Sequence, residues 1–91
     1  MMFTELKDVG VAPKHLSKLL GINRVTASNW INGHAAPHPM LDKKAAAVLK
    51  AIEAAAEAKE LPPPKDYKGL ERDLYVVKTI LTHHEAQKAR P

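Results

Sequence analysis

Cysteine is absent from this 91-residue sequence, which excludes a disulfide framework and any thiolate metal site. A chain that needs no disulfide can fold in a reducing compartment, so we expect a cytoplasmic protein. No apolar run approaches the roughly 20 residues that span a bilayer, and the first residues lack the charged and apolar regions of a secretory leader. The sequence therefore argues against secretion and membrane insertion.

Residues that favour strands are also sparse. Aromatic residues make up only 4% of the chain, and no segment alternates apolar with polar residues. Ala, Leu, Lys and Glu dominate instead, and these residues favour helices. We therefore predict an all-α fold, a compact helix-turn-helix bundle of four to five helices with an amphipathic C-terminal helix.

Glycine and proline mark most of the expected helix boundaries, and Thr4 and Asn23 are the expected N-caps of the first and third helices. Residues 61–66 contain three consecutive prolines and form a stiff break. The break separates a helix-turn-helix domain in residues 1–60 from a C-terminal helix in residues 67–91, which packs on the domain or dimerises. The five predicted helices run from Thr4 to Gly10, Pro13 to Gly21, Arg24 to about Asn32, about Met40 to Glu60, and Tyr67 to about Ala86.

The net charge of +4 is concentrated in one part of the chain. Residues 11–50 contain six basic residues and one acidic residue, whereas basic and acidic residues are equal in number in residues 51–91. A basic excess of this kind favours a polyanionic partner for the first part of the chain.

Two short helices separated by a Gly-Ile-Asn turn are typical of a helix-turn-helix, in which the second helix enters the major groove of DNA. Leu16 and Leu20 lie one turn apart, Ile22 fills the angle between the helices, and Ala27 and Trp30 face the core. The remaining outer face of the second helix carries side chains of types that suit base edges. These side chains are Arg24, Val25, Ser28 and Asn29.

The segment from Ala12 to Pro37 resembles, without a gap, the lambda Cro/C1-type (XRE-like) helix-turn-helix family of phage and bacterial regulators. The matching positions are Leu16, Ser17, Leu20, Gly21, Ile22, Asn23, Ser28, Trp30, Gly33 and Pro37. The resemblance implies a regulator, a repressor in particular, that binds double-stranded DNA. It also implies base contacts by Arg24, Val25, Ser28 and Asn29, and places Lys14, Thr26, Asn32 and His34 near phosphates. Lys43 and Lys44 either join these phosphate contacts or are ordinary solvated lysines.

Three positions depart from the family's pattern. Pro13 stands where the family often has a glutamine that binds a phosphate, so that side-chain contact is lost. Ile31 replaces a frequent glutamate, and we expect it to be exposed and to meet another protein surface. Ala27 replaces a larger aliphatic residue, which implies closer helix packing or a bulky neighbour.

The C-terminal helix has two interpretations. Its apolar residues repeat at helical spacing and form either the interface of a homodimer or a face that packs on the fourth helix. These residues are Leu70, Leu74, Val77 and Leu81. A second possible dimer interface is Ile52 with its alanine-rich neighbours. The same C-terminal helix supports a second class of function, a phage or antitoxin-like protein-interaction module that binds a host or toxin protein.

Nothing in the sequence indicates an enzyme, a cofactor or a metal site. His34 and His38 are four residues apart and His83 and His84 are adjacent, but prolines exclude a regular helix around the first pair and no third ligand is evident. The carboxylates are scattered, and no glycine-rich phosphate loop is present. We therefore expect no catalytic activity.

Overall fold

The computed structural model describes residues 1–88, which form five helices and no strand. A 3₁₀-helix, Phe3–Val9, is followed by α1 (Pro13–Leu20), α2 (Arg24–Ile31), α3 (Pro39–Glu57) and α4 (Gly69–Lys88). The predicted all-α class is confirmed, and each helix lies close to its predicted place. The largest difference is at the end of α3, which stops three residues before Glu60.

Local interactions explain most of the boundaries. Gly10 and Gly21 follow the first two helices with φ values of +80° and +66°, a left-handed conformation that side chains with a Cβ rarely adopt. At the start of α3, the His38 Nδ1 accepts a hydrogen bond from the Met40 N–H at 3.2 Å. The expected cap at Thr4 was wrong, because Met2 occupies the N-cap and its N–H donates to the Glu5 carboxylate at 2.9 Å.

One apolar core joins all five helices. It is built around the inner faces of α1, α2 and α3, with α4 closing one side through Val76 and Ile80. Burying an aliphatic side chain of this size stabilises a fold by about 1.5–3 kcal/mol. The other core residues are Leu6, Val11, Leu16, Leu20, Ala27, Trp30, Ile31, Ala45, Val48, Ala51, Ile52, Ala55 and Leu61.

Ile31 is part of this core, so its expected exposure was wrong. Its side chain is only 5% exposed. Ile31 lies one helical turn after Ala27, which is fully buried, and the two residues therefore share the inner face of α2. The same burial removes Ile31 as a contact for another protein.

α4 docks on α3 and α1 through a different face from the one that its leucines suggest. Val76 and Ile80 are fully buried, whereas Leu70, Leu74 and Leu81 are 73%, 52% and 44% exposed. Of the two interpretations, packing on the fourth helix therefore holds for α4 as a whole but is wrong for its leucine face. We call Leu70, Leu74, Val77 and Leu81 the α4 stripe. Ile52 and the neighbouring Ala51 and Ala55 are fully buried, which also excludes the second possible dimer interface.

Polar and aromatic contacts hold α4 to the chain that precedes it. The Tyr75 hydroxyl donates to the Glu60 carbonyl oxygen at 2.8 Å, and the rings of Tyr67 and Tyr75 lie 4.9 Å apart. The His83 imidazole is hydrogen-bonded to the Glu60 carboxylate. These contacts fix both ends of the link between α3 and α4.

The proline-rich segment packs against the N-terminal part of the chain. Leu61 and Pro63 are buried, and a Cβ placed on Gly10 would lie 2.8 Å from Pro63 Cδ. Gly10 therefore serves two purposes, since it adopts a positive φ and leaves room for the proline.

None of the helices in residues 1–88 combines the length and apolar character needed to cross a membrane.

We expect Gly10→Ala to destabilise the fold by more than Gly21→Ala, as measured by urea unfolding. Both glycines have a positive φ, which costs an alanine about 1–2 kcal/mol. Only at Gly10 would the new methyl group also collide with a proline, because no atom lies within 4 Å of the corresponding position at Gly21. Equal losses in the two variants would contradict the packing of Pro63 on Gly10.

Candidate nucleic-acid interface

The turn between α1 and α2 is held by hydrogen bonds to Ser17. Its carbonyl oxygen accepts from the N–H groups of Gly21 and Ile22, at 2.9 and 3.2 Å. Its hydroxyl donates to the Ile22 carbonyl oxygen at 2.5 Å. The small residue at this position thus fixes the angle at which α2 leaves α1.

The start of α2 is capped by Asn23, as predicted. The Asn23 Oδ1 accepts a hydrogen bond from the Val25 N–H at 2.7 Å. Arg24 and Val25 follow in the first turn with exposed side chains, and Val25 is 67% exposed although it is aliphatic. An exposed valine beside an exposed arginine gives this turn both an apolar and a cationic contact group.

The other two predicted base-contacting residues, Ser28 and Asn29, are half-buried. The Ser28 hydroxyl accepts a hydrogen bond from the Asn32 side-chain amide at 3.1 Å. The Asn29 carbonyl oxygen accepts from the His34 N–H at 2.8 Å, which ties the chain after α2 back to the helix. Within residues 1–88 the Asn29 side-chain amide has no hydrogen-bond partner, so it is free for a ligand.

α2 therefore has two distinct faces. Ala27, Trp30 and Ile31 are buried, and the Trp30 ring lies 5.5 Å from the Phe3 ring. Trp30 is a core residue, as predicted. Arg24 and Val25 on the opposite side bear no part of the packing, which leaves their identity free to serve binding.

The residues predicted near phosphates differ in their surroundings. Thr26 is half-buried, and Asn32 and His34 are exposed at and after the end of α2. Lys43 and Lys44 are exposed in the first turns of α3. Their phosphate contacts remain predictions.

Lys14, one of the predicted phosphate contacts, already forms an ion pair with another helix. Its Nζ lies 3.0 Å from Asp73 Oδ2 on α4. The other oxygen of the same carboxylate is 2.9 Å from His15 Nε2. A phosphate would therefore have to compete with Asp73 for Lys14.

The hydrogen bonds of His15 define its tautomer. The Ala12 N–H can only donate, and it lies 2.9 Å from His15 Nδ1. Nδ1 must therefore accept, which leaves Nε2 to carry the proton and to donate a hydrogen bond to Asp73. The neutral imidazole thus caps the start of α1 and holds α4 with its two nitrogens.

Burial shifts the protonation of this pair. Removal from water lowers the pKa of His15 below its ordinary value, and this effect outweighs the opposing attraction of Asp73. The pKa of Asp73 is also lowered, first by the hydrogen bond from His15 and then by the one from Lys14. Both shifts favour the arrangement of a neutral histidine beside an ionised carboxylate.

A cleft of about 180 Å³ joins the start of α2 to α4. Its lining combines three cationic side chains, Lys14, Lys18 and Arg24, with three apolar ones, Leu70, Leu74 and Val77, and also includes His15 and Asp73. In the part of the chain that the structure describes, neither Lys18 nor Arg24 forms an ion pair. The α4 stripe thus borders the first residue of the predicted reading face.

Sequence reasoning missed Lys18 and Asp73. Lys18 lies one turn after Lys14, and that spacing alone could have identified it as a second cation on the same face of α1. Asp73 gave no such signal, because its role depends on where α4 docks.

Up to Lys88, no group of three or more His, Asp or Glu residues could hold a metal ion. His34 caps no helix and is exposed, His38 caps α3, and His83 binds Glu60. The histidines at 38 and 83 thus have structural roles.

Comparison of the chain with protein-family models, curated proteins and solved structures finds no match. The resemblance to the Cro/C1-type family therefore rests on the residues of the sequence alone.

We expect the free energy of unfolding to fall as the pH is lowered from about 7 towards 5. The folded-state pKa of His15 lies below its ordinary value of about 6.5, so the unfolded chain takes up the proton more readily. The stability that His15 contributes is complete above that ordinary value and is lost as the pH falls towards the folded-state pKa. Urea unfolding at a series of pH values measures this loss.

His15→Gln should flatten this pH dependence, because glutamine does not titrate. His34→Gln is the matched control, since His34 is exposed and forms no side-chain hydrogen bond within residues 1–88. An unchanged pH dependence in His15→Gln would show that another group is responsible.

Proposed function

We propose that this protein is a sequence-specific regulator of transcription that binds double-stranded DNA, a repressor of phage or bacterial type acting in the cytoplasm. The observation that carries the proposal is the division of α2 into a packed face and a free face. Ala27, Trp30 and Ile31 hold the helix in the core, while Arg24 and Val25 remain exposed in its first turn. A helix presented in this way suits insertion into a major groove.

In this proposal the free face of α2 selects the sequence. Arg24 can pair with a guanine through two hydrogen bonds, Asn29 can pair with an adenine, and Val25 can contact a thymine methyl group. Ser28 offers a hydroxyl that pairs with several bases, although Asn32 already donates to it.

Phosphate contacts set the affinity and register of the complex. Thr26, Asn32, His34, Lys43 and Lys44 supply them in this proposal, with Lys14 available only when Asp73 releases it. Lys18 is an addition to this set, because it lines the same cleft as Arg24 and has no ion-pair partner among the described residues. The net positive charge of residues 11–50 supports the same assignment.

A second copy of the chain is part of the proposal. Two copies would present two α2 helices to successive major grooves, about 34 Å apart, and would read a near-palindromic site. The exposure of the α4 stripe supports a homodimer that uses this surface.

The same exposed stripe supports a second candidate function, a protein-interaction module of phage or antitoxin type. In that case α4 would bind a host or toxin protein. The two functions are compatible, because the stripe and the free face of α2 are different sets of residues.

Arg24→Ala and Asn29→Ala should each weaken binding to the preferred site by about 1–3 kcal/mol and relax its sequence preference. Selection of bound duplexes from a random DNA library, at about physiological salt, identifies the site and compares the variants. Both side chains can be truncated without cost to the core, since neither is buried.

Lys50→Ala is the control for Arg24→Ala. It removes one positive charge from an exposed position on α3 and should leave the selected sequence unchanged. If wild type enriches no sequence, or if both variants enrich the same sequence as wild type, α2 is not the reading helix.

Lys43→Ala should flatten the plot of log affinity against log salt concentration by a slope of about 1, if Lys43 binds a phosphate. Lys50 lies two turns further along the same helix, about 10 Å away. Lys50→Ala should therefore leave the slope as it is. Identical slopes for wild type and Lys43→Ala would identify Lys43 as a solvated lysine.

A further inference from the structure

The α4 stripe is an apolar surface with no partner within residues 1–88. Leu70, Leu74 and Leu81 are all more than two-fifths exposed, and Val77 lies between them. Residues 70 and 81 are separated by about 16 Å along the helix. The stripe is therefore long enough to accept about three turns of another helix.

We propose that α4 of a second copy of this chain covers the stripe and runs antiparallel to it. This inference deepens the homodimer in the proposed function and rests on it. A two-fold axis between Leu74 and Val77 would set Leu74 against the partner's Val77, and Leu70 against the partner's Leu81. Every apolar residue of the stripe then meets an apolar residue of the other copy.

The charges beside the stripe distinguish the antiparallel arrangement from a parallel one. Glu71 and Lys78 are exposed and seven residues apart, so they lie on the same flank of the stripe. An antiparallel pair brings Glu71 close to the partner's Lys78, and the two-fold axis repeats that ion pair. The surface is thus complementary in charge to a second copy of itself.

A parallel pair of α4 helices would form fewer favourable charge contacts than an antiparallel pair. It would bring Lys78 towards the partner's Asp73, because opposite flanks face each other in parallel helices. Asp73 already binds Lys14 and His15 at 3.0 and 2.9 Å. Glu71 would then face no cation, so the antiparallel arrangement satisfies more charges.

Sedimentation equilibrium of the full chain without DNA, from micromolar to millimolar concentration, tests the proposal. Wild type should dimerise, and Leu74→Ser should be monomeric. Glu71→Lys and Lys78→Glu should each weaken the dimer by about tenfold, because each reversal replaces two ion pairs with two like-charge contacts. The double variant Glu71→Lys/Lys78→Glu should restore it, since both ion pairs form again with their signs exchanged.

Glu57→Lys is the control for net charge, because Glu57 is exposed at the end of α3 and lies outside the stripe. It should leave the dimer unchanged. Thermal unfolding of each variant checks that the monomer is folded, and the exposed positions predict small effects.

A wild-type chain that stays monomeric overturns the proposal and leaves the stripe to another protein. A dimer that survives Leu74→Ser uses another surface and also overturns it. A dimer that the double variant fails to restore is not antiparallel. Since none of these measurements includes DNA, the selection experiment on Arg24 and Asn29 can still succeed if the antiparallel dimer fails.

Discussion

The arrangement of the helices depends on the contacts that the Asp73 carboxylate makes with His15 and Lys14. The carboxylate accepts a hydrogen bond from His15 Nε2 and forms an ion pair with Lys14, while His15 Nδ1 accepts a hydrogen bond from the Ala12 N–H just before α1. The His15 side chain thus caps the start of α1 and, through Asp73, positions α4. Since the imidazole is buried, loss of either partner would leave a polar nitrogen without a hydrogen bond in the core, at a cost of about 1–3 kcal/mol. A change that displaces α4 should therefore also disturb the start of α1, because the same hydrogen bonds hold both.

α2 is anchored in the core by only a few of its residues. Three residues hold it in the core, and the Asn23 cap and the Ser17 hydrogen bonds fix its beginning. The backbone of the first turn is consequently held in place by hydrogen bonds and packing although its side chains are exposed. Rigid presentation of exposed side chains lowers the entropic cost of binding, because the backbone is ordered before a partner arrives.

The sequence predicted the helices well because glycine, proline and asparagine act locally. Gly10, Gly21 and Asn23 determine boundaries through their own backbone geometry and hydrogen bonds, without reference to the rest of the fold. The exposed positions Arg24 and Val25 followed from helical periodicity alone. The burial of Ile31 follows from the same periodicity, because Ile31 lies one turn after Ala27. Its expected exposure came instead from the glutamate that is frequent at this position in the family that the sequence resembles. The α4 stripe was not predictable from periodicity. The exposure of the stripe depends on which face of α4 meets its neighbours, and α4 docks through two β-branched residues, Val76 and Ile80, rather than through its more numerous leucines. The pairing of Lys14 with Asp73, 59 positions apart in the sequence, depends on that docking as well.

Arg24 and Leu74 line the same cleft, and a helix is about 10 Å across with its side chains. A helix laid on the stripe therefore alters the space and the local dielectric constant around Arg24. Binding at the stripe and binding at Arg24 are then thermodynamically linked, and the linkage is reciprocal: each ligand changes the affinity for the other by the same factor. A rise in protein concentration favours the dimer. The sign of the coupling free energy would then decide whether the affinity for a ligand at α2 increases or decreases. In the proposed dimer, binding at α2 would then depend on the concentration of the chain itself, through the surface that borders Arg24.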